Sequence, residues 1–408
     1  MKKLTLVVLL FSITPAALSQ SLLTDPSNGC QYILPWDCDE CNVSWTGNCN
    51  DSLPNGEGVL TVYHDSTEIM KYVGHMKNGS FNGPGSYRDG MNKIDAYFKN
   101  NNPVKIDQAL YDYLEENQIS EVDTSSINHS FYGTENLFYY AVKPKGHSAG
   151  ALVLLPSFYE QPEQVLSNNS TLIKLAMENN LLVIVPTINI NLCLKKPSLN
   201  FLNDVFSDAM QRYKCSEKNF IIGGFSLGGM NALRYTELAY ENQDATAIRP
   251  RAVFGVDPPT DLVLLYNKQL KQLAKDSTYT EAKLVLDGLH EDIGTLEANY
   301  DQFVKHSAYS YAENQGGNLK YLLEVPVRIY CDPDIDWWME NRNFSYYDIN
   351  ASDLSAMILQ LKELGHTNAE FINALGRGYR ENGNRHPHSW SLIDPEECMK
   401  WILSIMNE

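Results

Sequence analysis

The sequence predicts a mixed α/β protein: a mostly parallel sheet with flanking helices and a helical insertion, preceded by a small domain of β-hairpin repeats. Two observations lead to this prediction. Beyond about residue 128, short continuous apolar runs alternate with amphipathic stretches at helical spacing, the pattern of parallel strands covered on both faces. Between about residues 45 and 103, glycines and aromatic residues recur at a fixed offset, which is typical of a repeat.

The first twenty residues have the composition of a secretory signal. Lys2 and Lys3 precede an apolar run from Leu4 to Ile13, and small residues place a cleavage site after Ser19. The alternative is an N-terminal anchor, although the apolar run is short for a bilayer. We therefore expect a secreted or periplasmic protein from which residues 1–19 are removed.

The 408-residue chain is acidic, with a formal net charge of −18. Removal of the two lysines of the predicted signal changes this charge to −20. A field of this sign repels nucleic acid and anionic membrane surfaces, so we expect no nucleic-acid partner. The apolar fraction of 43% and the charged fraction of 20% are ordinary for a globular protein.

Four of the eight cysteines crowd into twenty residues near the start of the chain, and the other four are scattered. An exported protein keeps disulfides, so we expect the crowded cysteines to be bridged, with the connectivity left open. The alternative is a zinc site, because Cys38 and Cys41 have ligand spacing. The crowded cysteines are Cys30, Cys38, Cys41 and Cys49, and the scattered ones are Cys193, Cys215, Cys331 and Cys398.

An internal repeat occupies the first domain. The stretch "WTGNCNDSLPNGEGVL" from Trp45 matches "YVGHMKNGSFNGPGSY" from Tyr72 at an offset of 27 residues, and Ala96 begins a weaker third copy. Recurring glycines indicate turns with positive φ, so each copy is predicted to be a β-hairpin that buries its aromatic residue. The pattern resembles MORN repeats over about residues 45–103. That resemblance implies a possible surface or protein contact through the repeats, but a structural cap on the following domain is the favoured interpretation, because repeat units often serve only to stack.

A linker is predicted between the two domains. The stretch "PVKIDQALYDYLEENQIS" carries apolar residues at helical spacing. The expected organisation is therefore a cysteine-containing β-repeat domain at 20–105, a linker helix at 106–127 and an α/β domain at 128–408.

The stretch "IIGGFSLGGM" places Ser226 in a G-x-S-x-G motif. A buried strand, "NFIIGGFS", precedes the serine, and a helix, "NALRYTELAYE", follows it. Ser226 would then lie on a tight turn at a helix N-terminus, where backbone N–H groups favour developing negative charge. The pattern predicts a nucleophile, and the alternative is an ordinary serine in a glycine-rich loop.

With this motif in this context, residues 128–408 resemble the α/β-hydrolase superfamily. The resemblance implies a catalytic serine, then an acid, then a histidine along the chain, with no metal or organic cofactor. The histidine is expected in a loop after the last strand, "AEFINAL", where His388 lies in "RHPHSW". His386 is the alternative, and His366 is interpreted as a surface residue at a helix end.

The acid is expected after the strand "VPVRIYC". Hydrolases often show G-x-x-D at this place, and Cys331 occupies the glycine position. This alignment makes Asp334 the predicted acid, with Asp336 and Asp332 as alternatives. Asp257, in "FGVDPPTD" at the end of the preceding strand, is interpreted as a polar turn residue.

Two backbone amides are predicted to form the oxyanion hole. One belongs to Leu227, the residue after the nucleophile. The other belongs to Phe158, in the loop after "ALVLLPSF", where hydrolases carry His-Gly and this chain has Pro156 and Ser157.

Residues 260–320 are helical in pattern and longer than a simple crossover. They are predicted to form a lid over the substrate pocket, and the alternative is a packed helical layer. Trp337 and Trp338, beside the predicted acid, either line the pocket or anchor their loop.

Together these residues predict an exported serine hydrolase that cleaves an acyl bond through Ser226, Asp334 and His388. A carboxylic ester is the favoured bond, in a small-molecule or peptide acyl substrate. The alternatives are a serine peptidase and a non-catalytic binding protein on the same fold.

Overall fold

The computed structural model of the protein describes two compact units, which meet in sequence between Lys105 and Ile106. The predicted signal segment lies outside the described residues. Within the described part, no helix is both long enough and apolar enough to cross a membrane. The described ranges are 21–34, 36–90, 92–123, 126–133 and 136–407.

The first unit is antiparallel β-structure. Strands β1 and β2 pair with each other, and the other described strands form a meander in the order β3-β5-β6-β7-β8-β9, with β4 paired to β5. The strands are β1 (Ser21–Thr24), β2 (Gln31–Leu34), β3 (Cys41–Trp45), β4 (Asn48–Asn50), β5 (Leu53–His64), β6 (Thr67–Lys77), β7 (Ser80–Asp89), β8 (Asn92–Lys99) and β9 (Asn102–Val104).

Equivalent two-residue turns close the hairpins of the two repeat copies. Asp51 and Ser52 join β4 to β5, and Asn78 and Gly79 join β6 to β7, with positive φ at all four residues. Two successive positive φ values are the geometry of a type I′ turn, whose twist matches that of paired strands. Each predicted copy therefore contains a β-hairpin.

The repeated aromatic residues explain the repeated glycines. Trp45 and Tyr72 are buried, at 2% and 0% exposure. A Cβ on Gly58 would lie 2.4 Å from the Trp45 ring, and a Cβ on Gly85 would lie 2.5 Å from the Tyr72 hydroxyl. The ring of each copy thus lies directly on the backbone of the paired strand, which only glycine permits.

The crowded cysteines are bridged as Cys30–Cys49 and Cys38–Cys41. This result confirms the disulfide interpretation and excludes the zinc alternative for these four residues. The scattered cysteines are free and buried.

The second unit contains an eight-stranded sheet in the order β10-β11-β13-β12-β14-β15-β16-β17 within the described residues. Strands β10 and β11 are antiparallel to their neighbours, and the remaining pairs are parallel. The strands are β10 (Leu114–Ser120), β11 (Leu137–Val142), β12 (Gly150–Leu155), β13 (Leu181–Pro186), β14 (Phe220–Phe225), β15 (Ala252–Val256), β16 (Val327–Cys331) and β17 (Ala369–Asn373). The predicted mostly parallel sheet is therefore present.

Helices flank this sheet. They are α1 (Pro162–Asn168), α2 (Ser170–Glu178), α3 (Lys196–Tyr213), α4 (Leu227–Glu241), α5 (Leu262–Lys275), α6 (Thr280–Asp292), α7 (Leu296–His306), α8 (Ile335–Arg342), α9 (Ala351–Glu363) and α10 (Pro395–Met406). Short 3₁₀ helices span Gln108–Tyr113, Gln243–Ala245, Asn314–Leu322, Tyr346–Asp348 and Trp390–Leu392.

The predicted linker helix at 106–127 is wrong. Its residues form a 3₁₀ turn and then strand β10, which pairs with β11 in a register running from Leu114–Val142 to Ser120–Leu137. Pairing with β11 satisfies the main-chain hydrogen bonds of the segment, and this tertiary partner outweighs its local helical spacing. The second unit therefore begins at Ile106, not at residue 128.

The predicted insertion at 260–320 consists of α5, α6, α7 and the following 3₁₀ segment, all between β15 and β16. Leu286, Leu289 and Phe303 from these helices are buried within the core of the unit. The insertion is thus packed onto the sheet layer, and some of its other residues contribute to the cavity described below.

Candidate active site

Ser226 occupies the turn between β14 and α4. Its φ and ψ are 53° and −121°, a conformation that is costly for any residue other than glycine. The backbone amide of Ser226 holds the turn in place by donating to the Val256 carbonyl at 2.9 Å. The predicted strand–turn–helix setting is therefore present, and the backbone strain at this turn lies on Ser226 itself.

Glycine at the start of α4 allows this helix to approach the sheet. A Cβ on Gly228 would lie 2.2 Å from the Leu155 carbonyl oxygen and 2.5 Å from that of Pro156. The first turn of α4 consequently lies against the end of β12. This contact brings the loop after β12, which carries Phe158, close to Ser226.

His388 lies beside this turn and is hydrogen-bonded to Asp257. Its Nδ1 donates to the Asp257 Oδ2 at 2.6 Å, and its ring centroid lies 4.5 Å from that of Phe225, the residue before Ser226. Asp257 is 5% exposed. A carboxylate on Nδ1 orients the ring and leaves Nε2 free to accept a proton.

Two further groups hold Asp257 in place. The Cys331 thiol donates to its Oδ1 at 3.4 Å, and the Asn350 amide donates to its main-chain carbonyl at 2.9 Å. The backbone of Asp257 has a φ of 46°, and its amide donates to the Tyr330 carbonyl at 2.8 Å. The interpretation of Asp257 as a plain turn residue is therefore wrong.

The predicted acid, Asp334, lies elsewhere. Its carboxylate accepts from the Trp337 amide at 3.0 Å, at the start of α8, and from Arg385 at 2.7 Å. Asp332 also pairs with Arg385, at 2.7 Å, and Asp336 is exposed on α8. Asp334 and Asp332 thus anchor the loop that carries His388. The carboxylate that is hydrogen-bonded to His388 is that of Asp257.

The sequence contained one signal for Asp257 that the G-x-x-D pattern obscured. Asp257 directly follows β15, the neighbour of the strand that leads to Ser226. Because carboxyl ends of adjacent parallel strands share one edge of a sheet, this carboxylate was as well placed as those after β16.

The other two candidate histidines have different surroundings. His386 lies between two guanidinium groups, and burial together with Arg380 lowers its pKa to about 3. His366 is buried, with Nε2 2.7 Å from the Val325 carbonyl and Nδ1 accepting from the Asn368 amide at 2.9 Å. The interpretation of His366 as a surface residue is therefore wrong.

The two predicted oxyanion donors lie on the same cavity as Ser226. The amides of Ser157 and Tyr159 donate to the Glu160 carboxylate and the Asn189 carbonyl, at 2.9 and 2.7 Å. In the described part of the chain, no hydrogen bond engages the amide of Phe158, which lies between them. The Leu227 amide is the first of α4, and first-turn amides lack intrahelical partners.

Glu160 joins the Phe158 loop to the His388 loop. Besides accepting from Ser157, its carboxylate accepts from the Trp390 indole at 2.8 Å. Burial raises the pKa of Glu160 to about 7, although the hydrogen bonds from Ser157 and Trp390 act in the opposite direction. This carboxyl group therefore changes its charge near neutral pH.

The cavity has a volume of about 470 Å³ and a mixed lining. The insertion contributes apolar residues to this lining, among them Leu265, Leu284 and Val285. Trp338 also lines the cavity, whereas Trp337 packs on the His386 ring with centroids 4.9 Å apart. A pocket of this size and composition suits a small, partly apolar ligand.

No protein-family model matches the chain, and no curated protein matches it. Several solved structures are similar at low identity. Mycobacterium tuberculosis MPT51 is 13% identical, with a TM-score of 0.43 over 72% of this chain and 98% of its own. Carboxyl esterase 2 from the mycorrhizal fungus Tuber melanosporum is 13% identical, with a TM-score of 0.46 over 72% and 88%. A Staphylococcus aureus fluorophosphonate-binding serine hydrolase is 13% identical, with a TM-score of 0.43 over 72% and 98%.

Proposed function

We propose that the protein is a serine hydrolase of the α/β-hydrolase superfamily that cleaves a carboxylic ester through Ser226, His388 and Asp257. The observation that carries the proposal is the His388–Asp257 hydrogen bond of 2.6 Å beside the strained turn of Ser226. An imidazole held by a carboxylate is the general base that a serine needs in order to act as a nucleophile.

The proposed reaction has two halves. The Ser226 hydroxyl attacks the ester carbonyl carbon while Nε2 of His388 accepts the hydroxyl proton. The carbonyl oxygen becomes an oxyanion, which the amides of Phe158 and Leu227 bind. As the tetrahedral intermediate collapses, the alcohol takes the proton from His388 and leaves. Water then attacks the acyl-serine ester, transfers its proton to His388, and the carboxylic acid departs as that proton returns to Ser226.

The chemistry of each step comes from side chains and amides of this chain, and no metal or organic cofactor enters the proposal. Asp257 keeps the imidazole in the tautomer with Nδ1 protonated and stabilises the imidazolium that forms twice in each cycle. An oxyanion-hole donor contributes about 3 kcal/mol to transition-state stabilisation.

The testing experiment uses a p-nitrophenyl ester series of increasing acyl length with wild-type protein, Ser226→Ala and His388→Ala. We expect ester hydrolysis by the wild type and its loss in both variants. His386→Ala is the matched control, because it removes a neighbouring imidazole that lacks the carboxylate partner. Activity that survives in His388→Ala and disappears in His386→Ala would contradict the assignment of the base.

A fluorophosphonate probe tests the nucleophile independently of substrate choice. Labelling of folded wild-type protein, absent in Ser226→Ala, is expected. Labelling without turnover of any ester would point to a peptide acyl substrate and remove the ester from the proposal. Absence of both labelling and turnover would contradict the enzyme and leave a binding protein.

We also propose that the protein matures in an oxidising compartment, as its two disulfides require. Expression of the full chain with its first residues should yield an exported product that begins after Ser19. Mass spectrometry of the intact exported protein would check both the cleavage and the loss of four thiol hydrogens. A product with unpaired Cys30 and Cys49 would contradict this proposal.

A further inference from the structure

Two arginines face the cavity from separate elements. Arg342 ends α8, and Arg380 lies in the loop before His388; both line the cavity with Ser226. Each has an Nη2 atom 3.4 Å from a ring nitrogen of His386: Arg342 at Nε2 and Arg380 at Nδ1. The Arg380 guanidinium also lies 5.9 Å from the Phe225 ring, next to the proposed nucleophile.

His386 separates the two cations without compensating their charge. Burial, Arg380, His388 and Arg342 all lower its pKa, to about 3, so the ring is neutral at ordinary pH. Burial lowers the pKa of Arg380, and the positive charge of Arg342 acts in the same direction, whereas the more distant carboxylates of Glu160 and Glu281 act against them. The two guanidinium groups therefore repel each other across an uncharged ring.

The carboxylates near the cavity are engaged elsewhere. Asp257 is bonded to His388, and Asp348 pairs with Lys271 at 2.7 Å. Glu281 accepts from the Tyr279 hydroxyl at 2.8 Å, and Glu160 accepts from the Ser157 amide and the Trp390 indole. Among the described residues, no carboxylate oxygen lies within 4.0 Å of the guanidinium of Arg342 or of Arg380.

Other arginines of the same loop have carboxylate partners. Arg377 pairs with Asp394 at 3.2 Å, and Arg385 pairs with Asp332 and Asp334. In a chain with a net charge of −18, Arg342 and Arg380 are exposed and face the cavity without such a partner. Their two planar guanidinium groups can donate hydrogen bonds to an anionic group of a ligand.

We propose that the ester substrate carries a carboxylate on its acyl chain, and that Arg342 and Arg380 bind this carboxylate. The inference rests on the proposed function and names the substrate class of the same site. The overall negative charge of the protein repels such an anion, so recognition depends on these two side chains. Both arginines line the same cavity as the proposed oxyanion donors, so one bound ester can reach both groups.

The kinetic test compares p-nitrophenyl valerate with mono-p-nitrophenyl glutarate, which have acyl chains of equal carbon number and differ in a terminal carboxylate. We expect kcat/KM to be at least about tenfold higher for the glutarate, as charge-assisted hydrogen bonds allow. In the Arg342→Met/Arg380→Met double variant, the ratio of the two kcat/KM values should fall to about one. Arg377→Met, which alters a paired arginine of the same loop, should keep the wild-type ratio.

A binding test uses the Ser226→Ala protein, which does not turn the ligand over. Calorimetry with monomethyl glutarate and with dimethyl glutarate should detect binding of the monoanion alone, and its loss when both arginines are also replaced. Ester hydrolysis with no preference for the glutarate and no selective binding would overturn the inference and leave the proposed function intact. Selective binding without any hydrolysis would support the anion site and contradict the proposed function.

Discussion

The Nδ1 atom of His388 lies 2.6 Å from Oδ2 of Asp257, a residue that directly follows strand β15 rather than β16. Three carboxylates follow β16 within five residues, yet the imidazole is bonded to the one on the preceding strand. The position of the acid is therefore decided by which strand end faces the His388 loop.

Replacement of Asp257 tests this relationship. Asp257→Asn should reduce kcat of ester hydrolysis by about a hundredfold to ten-thousandfold, because the amide favours the wrong tautomer of His388. Steady-state kinetics on a p-nitrophenyl ester would measure the loss. Asp336→Asn, an exposed change on α8, is the control and should keep wild-type kcat. A larger loss in Asp334→Asn than in Asp257→Asn would contradict the assignment.

The thiol of Cys331 is predicted to support Asp257. Cys331→Ala removes a donor to a charged group and leaves a small void, so kcat/KM should fall by about tenfold. Cys331→Ser restores a donor and should recover most of the activity. Cys398→Ala, at another free and buried cysteine, is the control for packing loss. Equal activity in the alanine and serine variants would show that the hydrogen bond has no role.

Glu160 is predicted to make stability depend on pH. Since its pKa rises from 4.5 to about 7 on folding, the folded protein binds more protons than the unfolded chain between these values. The resulting stabilisation is complete below about pH 4.5 and is lost as the pH rises through 7, with an upper limit of about 3 kcal/mol.

Urea unfolding of wild type and Glu160→Gln across pH 4 to 8 would measure this effect. The free energy of unfolding of the wild type should decline relative to the variant between pH 4.5 and 7. For Glu217→Gln, a change at an exposed position, the free energy of unfolding should vary with pH in parallel with that of the wild type. A wild-type curve that rises relative to Glu160→Gln over this interval would contradict the sign.

Gly85 is predicted to be important for the stability of the first unit. In Gly85→Ala the added Cβ would lie 2.5 Å from the buried Tyr72 side chain, and such overpacking costs about 1–3 kcal/mol. Gly56→Ala is the matched control, since its φ of +78° is strained but no heavy atom lies within 4 Å of the new Cβ. Hydrogen–deuterium exchange of β5 to β8 should accelerate more in Gly85→Ala. Greater acceleration in Gly56→Ala would show that backbone conformation outweighs the ring contact.

Local patterns were sufficient for the sheet and for the turn of Ser226. Continuous apolar runs predicted the buried strands because parallel strands are covered on both faces, and β12 to β15 are buried along their whole length. The glycines around Ser226 marked a turn where two backbones touch. The repeat at an offset of 27 residues likewise marked a contact between an aromatic ring and glycine backbone, which depends on near neighbours in sequence.

Other features of the fold and of the site depended on partners that are distant along the chain. The segment at 114–120 is a strand because β11 is available to pair with it, and its own apolar spacing did not contain that information. The same is true of the two arginines beside His386, which come from separate elements and meet only in the folded unit.

By itself, the sequence determined the class of fold, the strand–turn–helix setting of Ser226 and the loop of His388, because these depend on residues adjacent along the chain. Only the tertiary structure decided which acid lies on His388. Asp257, Asp332 and Asp334 each follow a strand of one sheet, and they differ in what the folded loops bring to them: the imidazole to Asp257, and the Arg385 guanidinium to Asp332 and Asp334.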